Sequence, residues 1–324
     1  MGWCAESSIT QNASNVKLVF FCKKGLTSFL NDITEELSKK HQVRKVYLGN
    51  DEELDVSEHL DWADICWFEW CDEIIAQVSH MPKPKNKKYV CRLHGYESWS
   101  ENPHNVNWKN VDKLIVVAEH TKNVLRSFSP HVEKEVEIAH IPNGVNMDKF
   151  KLRKYIPENN NFAYVGYIHS TKNPMLLLHL MKRLVGIDNR NKLYVAGFFQ
   201  DPVIKLHWDY FVEVNGLKDN IFVDGWVENI DEWLLDKKFL ISTTIRETFG
   251  YGIAEAMARG IKPIIYNFPF SKETWDGYTF NDIEDALRII HSDDYRPAEY
   301  RNYILENFSL EKQIKNIEKE LGLL

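Results

Sequence analysis

The sequence predicts an α/β protein built from two open parallel sheets. Its 324 residues are enough for about two domains. Short apolar runs alternate with amphipathic segments, which is the pattern of strands alternating with helices. The stretch 239–265 is FLISTTIRETFGYGIAEAMARGIKPII, in which an apolar run, a glycine-containing loop, a small-residue helix and a second apolar run follow one another. That strand–loop–helix–strand order is the unit from which parallel sheets are built.

The composition argues against several classes of partner. Hydrophobic residues make up 44% of the chain, which suffices for two cores. The formal net charge of −7 and the pI of about 6.0 argue against nucleic acid as the main partner, because duplex binding requires a basic surface. The five cysteines have no metal-ligand spacing, and we expect neither a metal site nor a bound cofactor. Cys22, Cys66 and Cys91 lie in apolar runs, as expected for free thiols in a reducing cytoplasm.

The sequence predicts neither a membrane span nor a secretory leader. Residues 1–15 are polar, lack the apolar core of a signal peptide and are expected to be disordered. No uncharged apolar run approaches the ~18 residues that a membrane span needs. We therefore expect a cytoplasmic protein. The basic segment 82–88 (PKPKNKK) is best explained as a linker, with contact to anionic lipid at the inner membrane surface as the alternative.

The first half is expected to form one Rossmann-like domain over residues 1–150. A strand at 16–22, a helix at 26–40 and a strand at 43–48 give its opening β-α-β unit. Further strands and helices are predicted at 64–68, 69–78, 89–93, 111–117 and 119–128. The opening turn lacks the G-x-G-x-x-G fingerprint, which argues against an NAD enzyme.

Polar and aromatic residues follow the strands of the first half, at the sheet edge where open α/β sheets bind ligands. Gly25 and Glu69 follow the first and third strands, and His94 follows the fourth. Tyr96 and Trp99 lie in the next loop. We take Gly25, Glu69, Tyr96 and Trp99 as candidates for the acceptor side of a site. The alternatives are a hydrogen-bonded loop histidine at position 94 and ordinary loop anchors at positions 96 and 99.

The polar linker 151–160 separates this half from a second expected domain, which covers residues 151–324. Its predicted strands are 162–165, 192–196, 221–223, 239–241 and 261–265, and its predicted helices are 173–185, 229–236, 253–259, 283–291 and 310–321. Pro174 lies in the first turn of its helix, where proline is tolerated. The two halves share this topology without an internal sequence repeat.

The loop and helix within 239–265 suit a sugar that is linked to phosphate. Gly250 and Gly252 lack a Cβ and let the backbone approach a ligand closely. The N–H groups and the dipole at the start of the following helix favour phosphate. Glu247 and Glu255 repel phosphate, but each can accept hydrogen bonds from sugar hydroxyls. The alternative is a tight strand–helix turn with two solvated glutamates.

These residues resemble the signature of glycosyltransferase family 4, whose members are retaining nucleotide-sugar glycosyltransferases of the GT-B fold. The matching positions are Glu247, Phe249-Gly250, Glu255-Ala256-Met257-Ala258 and Gly260. The resemblance implies two Rossmann-like domains that face each other across a cleft. It also implies that Glu255 holds the ribose, that Glu247 holds the donor sugar, and that the last helix, 310–321, returns to the first domain.

The family pattern has a second part, an arginine and a lysine that bind the pyrophosphate of the donor. Lys172 stands at the lysine position, whereas Tyr167 replaces the arginine. Either phosphate binding is weaker here, or Arg246 or His169 compensates for the missing charge. The implied catalytic residues are His94 from the opposite domain, Glu247 and Lys172. The implied donor-binding residues are Gly166, Tyr167, Lys172, Trp226, Val227, Glu247, Phe249, Gly250, Tyr251, Gly252 and Glu255. Trp226 has the alternative role of a packed turn residue.

The resemblance implies transfer of a sugar from a UDP- or GDP-linked donor to an acceptor hydroxyl, with retention and without a metal ion. The acceptor is expected to be a glycan, a lipid-linked glycan, a protein or a small molecule. The segment 266–270 (YNFPF) replaces the family's glycine pair beside the donor sugar, so the family does not fix the identity of that sugar. Because Tyr167 replaces the arginine, a non-catalytic nucleotide-sugar-binding or scaffold subunit is the alternative function. The EAMA-x-G run disfavours two further alternatives, a phosphorylase and an epimerase.

Overall fold

The computed structural model describes residues 15–49 and 56–324. The lead expected to be disordered therefore lies outside the described residues, apart from Asn15. The described chain forms two compact units. The first holds the residues up to Val116 together with Lys122–His140 and Ile314–Leu324, and the second holds Val117–Thr121 and Ile141–Gln313. Each unit contains one six-stranded sheet whose neighbouring strands are parallel, which confirms the predicted α/β class.

The first unit alternates strands and helices. Its elements in chain order are β1 (Lys17–Lys23), α1 (Asn31–Ser38), β2 (Gln42–Leu48), α2 (Ser57–Trp62), β3 (Ile65–Glu69), α3 (Glu73–Ser79), β4 (Lys88–Leu93), β5 (Lys113–Val116), α4 (His120–Phe128), α5 (Val132–Glu135) and β6 (Ile138–His140). Short 3-10 turns cover Tyr96–Trp99, Asn102–His104 and Trp108–Asn110. The strand order β2-β1-β3-β4-β5-β6 reverses direction between β1 and β3. Ligands of open sheets bind at the carboxyl ends of strands at such a switch point.

Two helices of this unit start later than predicted. The helix expected at 26–40 starts at Asn31, because the preceding residues form a turn in which Leu30 N–H donates to Thr27 O at 3.0 Å. The helix expected at 69–78 starts at Glu73, because Glu69 still belongs to β3. Asp72 caps this helix by accepting the Ile74 N–H at 2.9 Å.

The second unit repeats the alternation. Its elements in chain order are β7 (Asn161–Val165), α6 (Pro174–Ile187), β8 (Lys192–Ala196), α7 (Pro202–Val214), β9 (Ile221–Gly225), α8 (Ile230–Trp233), β10 (Phe239–Ser242), α9 (Tyr251–Ala258), β11 (Lys262–Tyr266), α10 (Ser271–Trp275), β12 (Thr279–Phe280), α11 (Ile283–His291), α12 (Pro297–Phe308) and the start of α13 (Leu310–Leu321). The strand order β12-β11-β10-β7-β8-β9 is that of a dinucleotide-binding sheet. Its switch point lies between β7 and β10.

The division between the units falls near residue 140 rather than at the expected residue 150. Val145 N–H donates to Phe308 O at 2.8 Å, and Leu310 N–H donates to Val145 O at 2.9 Å. Phe150 is buried in a core cluster of the second unit. Residues 141–150 therefore belong to the second unit, because their backbone and side chains are already bonded and packed there.

The family resemblance implies that the last helix, 310–321, returns to the first domain, and the end of this helix lies with the first unit. Residues Ile314–Leu324 group with the first unit. There Lys40 pairs with Glu318 at 2.7 Å, and Lys113 pairs with Glu320 at 2.9 Å. Within the described part of the chain, no helix is both long enough and apolar enough to span a bilayer.

Candidate functional site

The loops that follow β7 and β10 are bonded to each other at the switch point of the second sheet. Thr243 Oγ1 donates to Lys172 O at 2.9 Å. Ile245 N–H donates to Thr171 O at 2.9 Å. These bonds join the end of the first loop to the start of the second, so the two loop backbones are held beside each other.

Lys172 and Glu247 are brought together by this bonding. Lys172 Nζ donates to Glu247 Oε2 in an ion pair. The side chains remain 23% and 22% exposed, respectively, so both are accessible to a ligand. An ammonium group suits a phosphate, and a carboxylate suits hydroxyl donors. Two residues that the sequence predicts to be catalytic therefore share one site.

His169 and Arg246 lie in the electrostatic field of this pair. Burial lowers the pKa of His169, and the positive charges of Lys172 and Arg246 lower that pKa further, against the opposing effect of Glu247. The His169 imidazole is therefore neutral at pH 7. Thr244 Oγ1 donates to Arg246 O at 2.7 Å and fixes the Arg246 backbone, while the guanidinium side chain is exposed.

Glu255 lies on α9, which starts directly after the second loop. This helix spans Tyr251–Ala258, two residues earlier than predicted at its start. Its N-terminal cap is Gly250, whose φ of +81° is a conformation that favours glycine. Among the described residues, no side chain caps this end of the helix, so the positive end of its dipole faces the loop. Glu255 is half-buried one turn further on.

The glycine at position 252 is explained by packing rather than by ligand approach. A Cβ on Gly252 would lie 2.8 Å from the Cβ of Val165 and 3.3 Å from the Val165 carbonyl oxygen. The helix α9 can approach β7 this closely only with glycine at that position. Ligand access was the expected reason for Gly252, whereas the structure shows close packing against Val165.

Two other predicted donor-binding residues offer less to a phosphate or a sugar than expected. Gly166 N–H already donates to Ala196 O at 2.9 Å, so this amide is not available to a phosphate. Phe249 is 3% exposed, and its ring lies 5.3 Å from that of Phe308 and 5.2 Å from that of Tyr251. The Phe249 side chain is therefore a core residue, and only its backbone remains for a ligand.

Two aromatic donor-binding candidates have exposed rings. Tyr167 is 45% exposed and Trp226 is 62% exposed. The alternative that Trp226 is a packed turn residue is therefore wrong. Val227 beside it is half-buried. Tyr167 stands where the family pattern has arginine and brings a neutral hydroxyl without a charge.

In the first unit, Glu69 is buried and hydrogen-bonded instead of open to an acceptor. The residue is 1% exposed. Its Oε1 lies 2.6 Å from His94 Nε2 and accepts a hydrogen bond from Arg92 Nη1 at 3.0 Å. Its Oε2 accepts the Trp67 indole N–H at 2.7 Å. The acceptor-side prediction for Glu69 is corrected, because its carboxylate has no surface to offer.

Charge and burial act in opposite directions in this cluster. Burial by itself would raise the pKa of Glu69, but Arg92 and His94 together lower it to about 2, so the carboxyl is ionised. Burial lowers the pKa of His94 below its ordinary value, and Glu69 offsets only part of that effect. His94 is therefore neutral at pH 7. The residue is 8% exposed and is hydrogen-bonded to Glu69, which fits the alternative of a hydrogen-bonded loop histidine.

Glu97 fixes the backbone of the turn that carries His94, a role that the sequence analysis missed. The carboxylate oxygens of Glu97 accept the N–H groups of His94 at 3.2 Å, Gly95 at 3.0 Å and Cys71 at 3.4 Å. Glu97 has no exposed surface, and burial raises its pKa to about 7. A glutamate three residues after a histidine in a loop gives no sequence signal for this bonding.

The remaining acceptor-side candidates of this unit are exposed. Tyr96 is 50% exposed and Trp99 is 48% exposed. The Tyr96 ring lies 5.6 Å from that of Trp70, and the Trp99 ring lies 5.1 Å from that of Phe128. Gly25 has a φ of +85° and open space where a Cβ would lie. The two aromatic rings therefore keep free surface for the C–H groups of a sugar.

Most lysines of the basic segment 82–88 make contacts within the first unit. Lys83 pairs with Asp112, and Lys87 Nζ donates to Ala63 O at 2.6 Å. Lys88 Nζ donates to Leu321 O at 3.0 Å. These contacts favour the linker interpretation over a lipid-binding surface. Across the residues that the structure describes, no cluster of three or more histidine, cysteine, aspartate or glutamate side chains could hold a metal ion.

Comparison with known proteins supports the fold and the family. The family model of glycosyl transferases group 1 matches residues 148–317. Poly(ribitol-phosphate) alpha-N-acetylglucosaminyltransferase of Staphylococcus aureus (strain COL) is 24% identical over an alignment of 223 residues. The match covers 63% of this chain and 43% of that relative. The matched region thus spans less than half the length of the curated relative.

Solved structures resemble the chain at lower identity. Anabaena HepE in complex with UDP and glucose superposes with a TM-score of 0.74 at 14% identity, covering 95% of this chain and 100% of that one. A TarM variant of S. aureus in complex with UDP, Fondaparinux and alpha-GlcNAc-glycerol superposes with a TM-score of 0.64 at 18% identity. That match covers 80% of this chain and 55% of the TarM chain. Such likeness supports the GT-B fold. Because the family model covers just over half of its residues, the chain belongs to the glycosyl transferases group 1 family.

Proposed function

We propose that the chain transfers a sugar from a nucleoside-diphosphate donor to an acceptor hydroxyl. The observation that carries this proposal is the Lys172–Glu247 ion pair at the switch point of the second sheet. Glu255 follows on the next helix, eight residues after Glu247. A sugar nucleotide combines phosphate charge with vicinal hydroxyls, and this site offers a cation beside a carboxylate, with a second glutamate on the helix that follows. In doubly wound sheets, ligands bind at such a switch point.

Each residue then has a role that follows from its chemistry. Lys172 binds the diphosphate, aided by the positive end of the α9 dipole. Glu247 accepts hydrogen bonds from hydroxyls of the donor sugar, and Glu255 accepts them from the ribose. Trp226 offers an exposed ring to the base. His94 is retained as a contact to the substrate, as the family resemblance implies.

The reaction breaks the bond between the anomeric carbon and the diphosphate oxygen, and it forms a bond from that carbon to the acceptor oxygen. Negative charge develops on the leaving diphosphate, where a preorganised cation lowers the barrier. We propose that the leaving phosphate receives the proton of the acceptor hydroxyl, that the anomeric configuration is retained, and that no metal ion is needed. No protein nucleophile is assigned.

Arg246 is our candidate for the charge that Tyr167 does not supply. Its backbone is bonded to Thr244, whose loop is bonded to the loop of Lys172. The exposed guanidinium can reach a phosphate and bind it through two N–H groups. His169 is neutral and adds at most one uncharged hydrogen bond.

The related proteins support a UDP-linked donor and a carbohydrate-like acceptor. HepE was solved with UDP and glucose, and the curated relative is named for transfer of N-acetylglucosamine to poly(ribitol-phosphate). We propose a UDP-sugar in preference to a GDP-sugar, with a glycan, a lipid-linked glycan or a small molecule as the acceptor. We place the activity in the cytoplasm. Peripheral contact to the inner membrane surface is the less favoured alternative, because most lysines of segment 82–88 are already paired.

A non-catalytic nucleotide-sugar-binding subunit is the second candidate function. Tyr167 favours it, because the loss of one pyrophosphate cation weakens leaving-group stabilisation. Release of nucleoside diphosphate from the donor without acceptor separates the two candidates. Slow hydrolysis above the spontaneous rate supports the enzyme, whereas tight binding with no hydrolysis and no transfer supports the binding subunit.

A thermal-shift panel of UDP- and GDP-sugars tests the proposal first. Ligand binding to the folded state at a hundredfold excess over Kd stabilises it by about 2.7 kcal/mol. We expect one or a few UDP-sugars to raise the Tm. Those donors then serve in transfer assays with and without EDTA, and NMR of the product anomeric proton tests retention. The absence of a shift with every nucleotide and nucleotide sugar would contradict the proposed function.

A further inference from the structure

The Glu69 carboxylate in the first unit is surrounded by hydrogen-bond donors. Arg92 and Trp67 can only donate, and they take one position on Oε1 and one on Oε2. His94 Nε2 approaches Oε1 to 2.6 Å, which is shorter than the Arg92 contact. Arg92 and Glu69 are cross-strand neighbours in β4 and β3, so the sheet itself sets this geometry.

The contact fixes where the imidazole carries its proton. An ionised carboxylate offers only acceptors, so His94 Nε2 must hold a hydrogen and donate it. A neutral histidine carries one ring proton, which leaves Nδ1 as an acceptor. Glu69 therefore selects one of the two tautomers of His94.

The ring is also held in orientation by aromatic neighbours. Its centroid lies 4.0 Å from that of Trp70 and 5.1 Å from that of Phe29. Trp70 has a φ of +81°, which is unusual for any residue other than glycine. Such strained backbone persists only where the surrounding structure holds it, and it clusters at functional sites.

We propose that Glu69 is the positioning residue of His94, which it keeps as a neutral imidazole with hydrogen on Nε2 so that Nδ1 accepts a hydrogen bond from a hydroxyl of the substrate. The proposal rests on the proposed function, because it takes His94 to contact a substrate. Arg92 is the other charged group that faces this ring, and it holds Glu69 in its ionised form. A substrate that offers only acceptors at this position, such as a carboxylate, is then disfavoured.

Histidine-selective ¹⁵N NMR of the intact protein reads the tautomer directly. We expect the His94 signals, assigned by comparison with His94→Gln, to show hydrogen on Nε2 at pH 7.5 in the wild type. This measurement needs no Glu69 variant and holds even if such a variant fails to fold. Wild-type signals with hydrogen on Nδ1, or with rapid averaging between the tautomers, would overturn the proposal.

Glu69→Gln tests the consequence for the reaction. We expect kcat to fall tenfold or more while the KM for the donor changes less than threefold. Loss of the carboxylate removes the effect that raises the pKa of His94, so the acid limb of the pH profile should move to lower pH. A purely structural role would not move that limb. The matched control is Glu58→Gln, the same substitution at a glutamate in α2 whose side chain is 88% exposed.

The outcomes separate this proposal from the proposed function. A His94 tautomer as expected, together with no turnover of any sugar nucleotide, would contradict the transferase function and leave only the selection of the tautomer by Glu69 standing. Folded Glu69→Gln with wild-type kcat and an unmoved acid limb would overturn the positioning role while leaving the transferase function intact.

Discussion

Lys172 and Glu247 are 75 residues apart in sequence and form an ion pair in the second unit. The pair is partly exposed, at the place where the strand order of the sheet reverses. A sugar nucleotide would replace this contact with two others, phosphate on the lysine and hydroxyls on the carboxylate. The pair therefore holds both side chains in position before a donor arrives, which reduces the entropy lost on binding.

Lys172→Ala is expected to lower kcat with a smaller effect on donor KM. The ammonium group stabilises the transition state most, because negative charge develops there on the leaving diphosphate. Removal of one such group typically reduces turnover by about 10²–10³-fold. Steady-state kinetics with the best donor checks this. Lys182→Ala, at an exposed lysine on α6, is the matched control. Wild-type turnover in Lys172→Ala would contradict the assignment of Lys172 to the diphosphate.

Arg246→Ala is expected to weaken donor binding. Adding Tyr167→Arg to that variant is expected to restore the binding. A hydrogen bond to a charged partner is worth about 1.5–3 kcal/mol, which is roughly tenfold to a hundredfold in Kd. Tyr167 is exposed, so an arginine fits there without repacking. Calorimetric titration of UDP into each single variant and into the double variant checks both expectations. Equal affinity of Arg246→Ala and wild type would rule out compensation by Arg246.

Gly252→Ala is expected to destabilise the protein, because the added Cβ meets Val165 at 2.8 Å. Overpacking of this kind costs about 1–3 kcal/mol. Gly186→Ala on α6 is the control, since a Cβ there meets nothing within 4 Å and the φ is not positive. That change should stabilise by roughly 0.4–1 kcal/mol. Urea unfolding measures both, and a Gly252→Ala variant as stable as wild type would show that α9 has room to move away from β7.

The buried carboxyls of the first unit predict a stability that falls as pH rises. The pKa of Glu97 is raised to about 7, and that of Asp72 is also raised to about 7. The folded state therefore binds protons that the unfolded chain has released, and unfolding becomes easier as pH rises from about 4 to 7. Glu69 acts in the opposite direction, but only below its ordinary pKa near 4.5.

Urea midpoints at pH 5 and pH 8 check this dependence. Glu97→Gln keeps one of the two acceptor oxygens that face the backbone N–H groups. Because glutamine has no proton to lose, the difference between the two midpoints should shrink. The same pH dependence in the variant and the wild type would contradict the raised pKa of Glu97.

Much of the second unit could be predicted from sequence because its signals are local. The strand–loop–helix–strand order and the positions of Lys172, Glu247 and Glu255 follow from short patterns. Helix α7 was missed because apolar residues occur on several of its faces. Trp208 and Phe211 are buried, whereas Val203 and Leu206 are each 71% exposed, so no single apolar stripe marks the helix.

The role of Glu69 could not be predicted for a different reason. Its partners Arg92 and His94 come from β4, which pairs with β3 in the sheet. Sequence alone does not reveal which strands are neighbours, and the burial of a strand-end carboxylate depends on that pairing. A glutamate at the end of a strand therefore looked like a ligand-binding residue when it is a buried partner of a histidine.

Calorimetric titration of the best UDP-sugar into wild type and Glu255→Ala tests donor recognition in the second unit most directly. The loss of hydrogen bonds from the ribose should weaken Kd by about tenfold to a hundredfold, with no loss of folding. Glu213→Ala, at an exposed glutamate on α7, should bind as wild type does. A Glu255→Ala variant that binds the sugar nucleotide with wild-type affinity would contradict the assignment of this helix to the donor site.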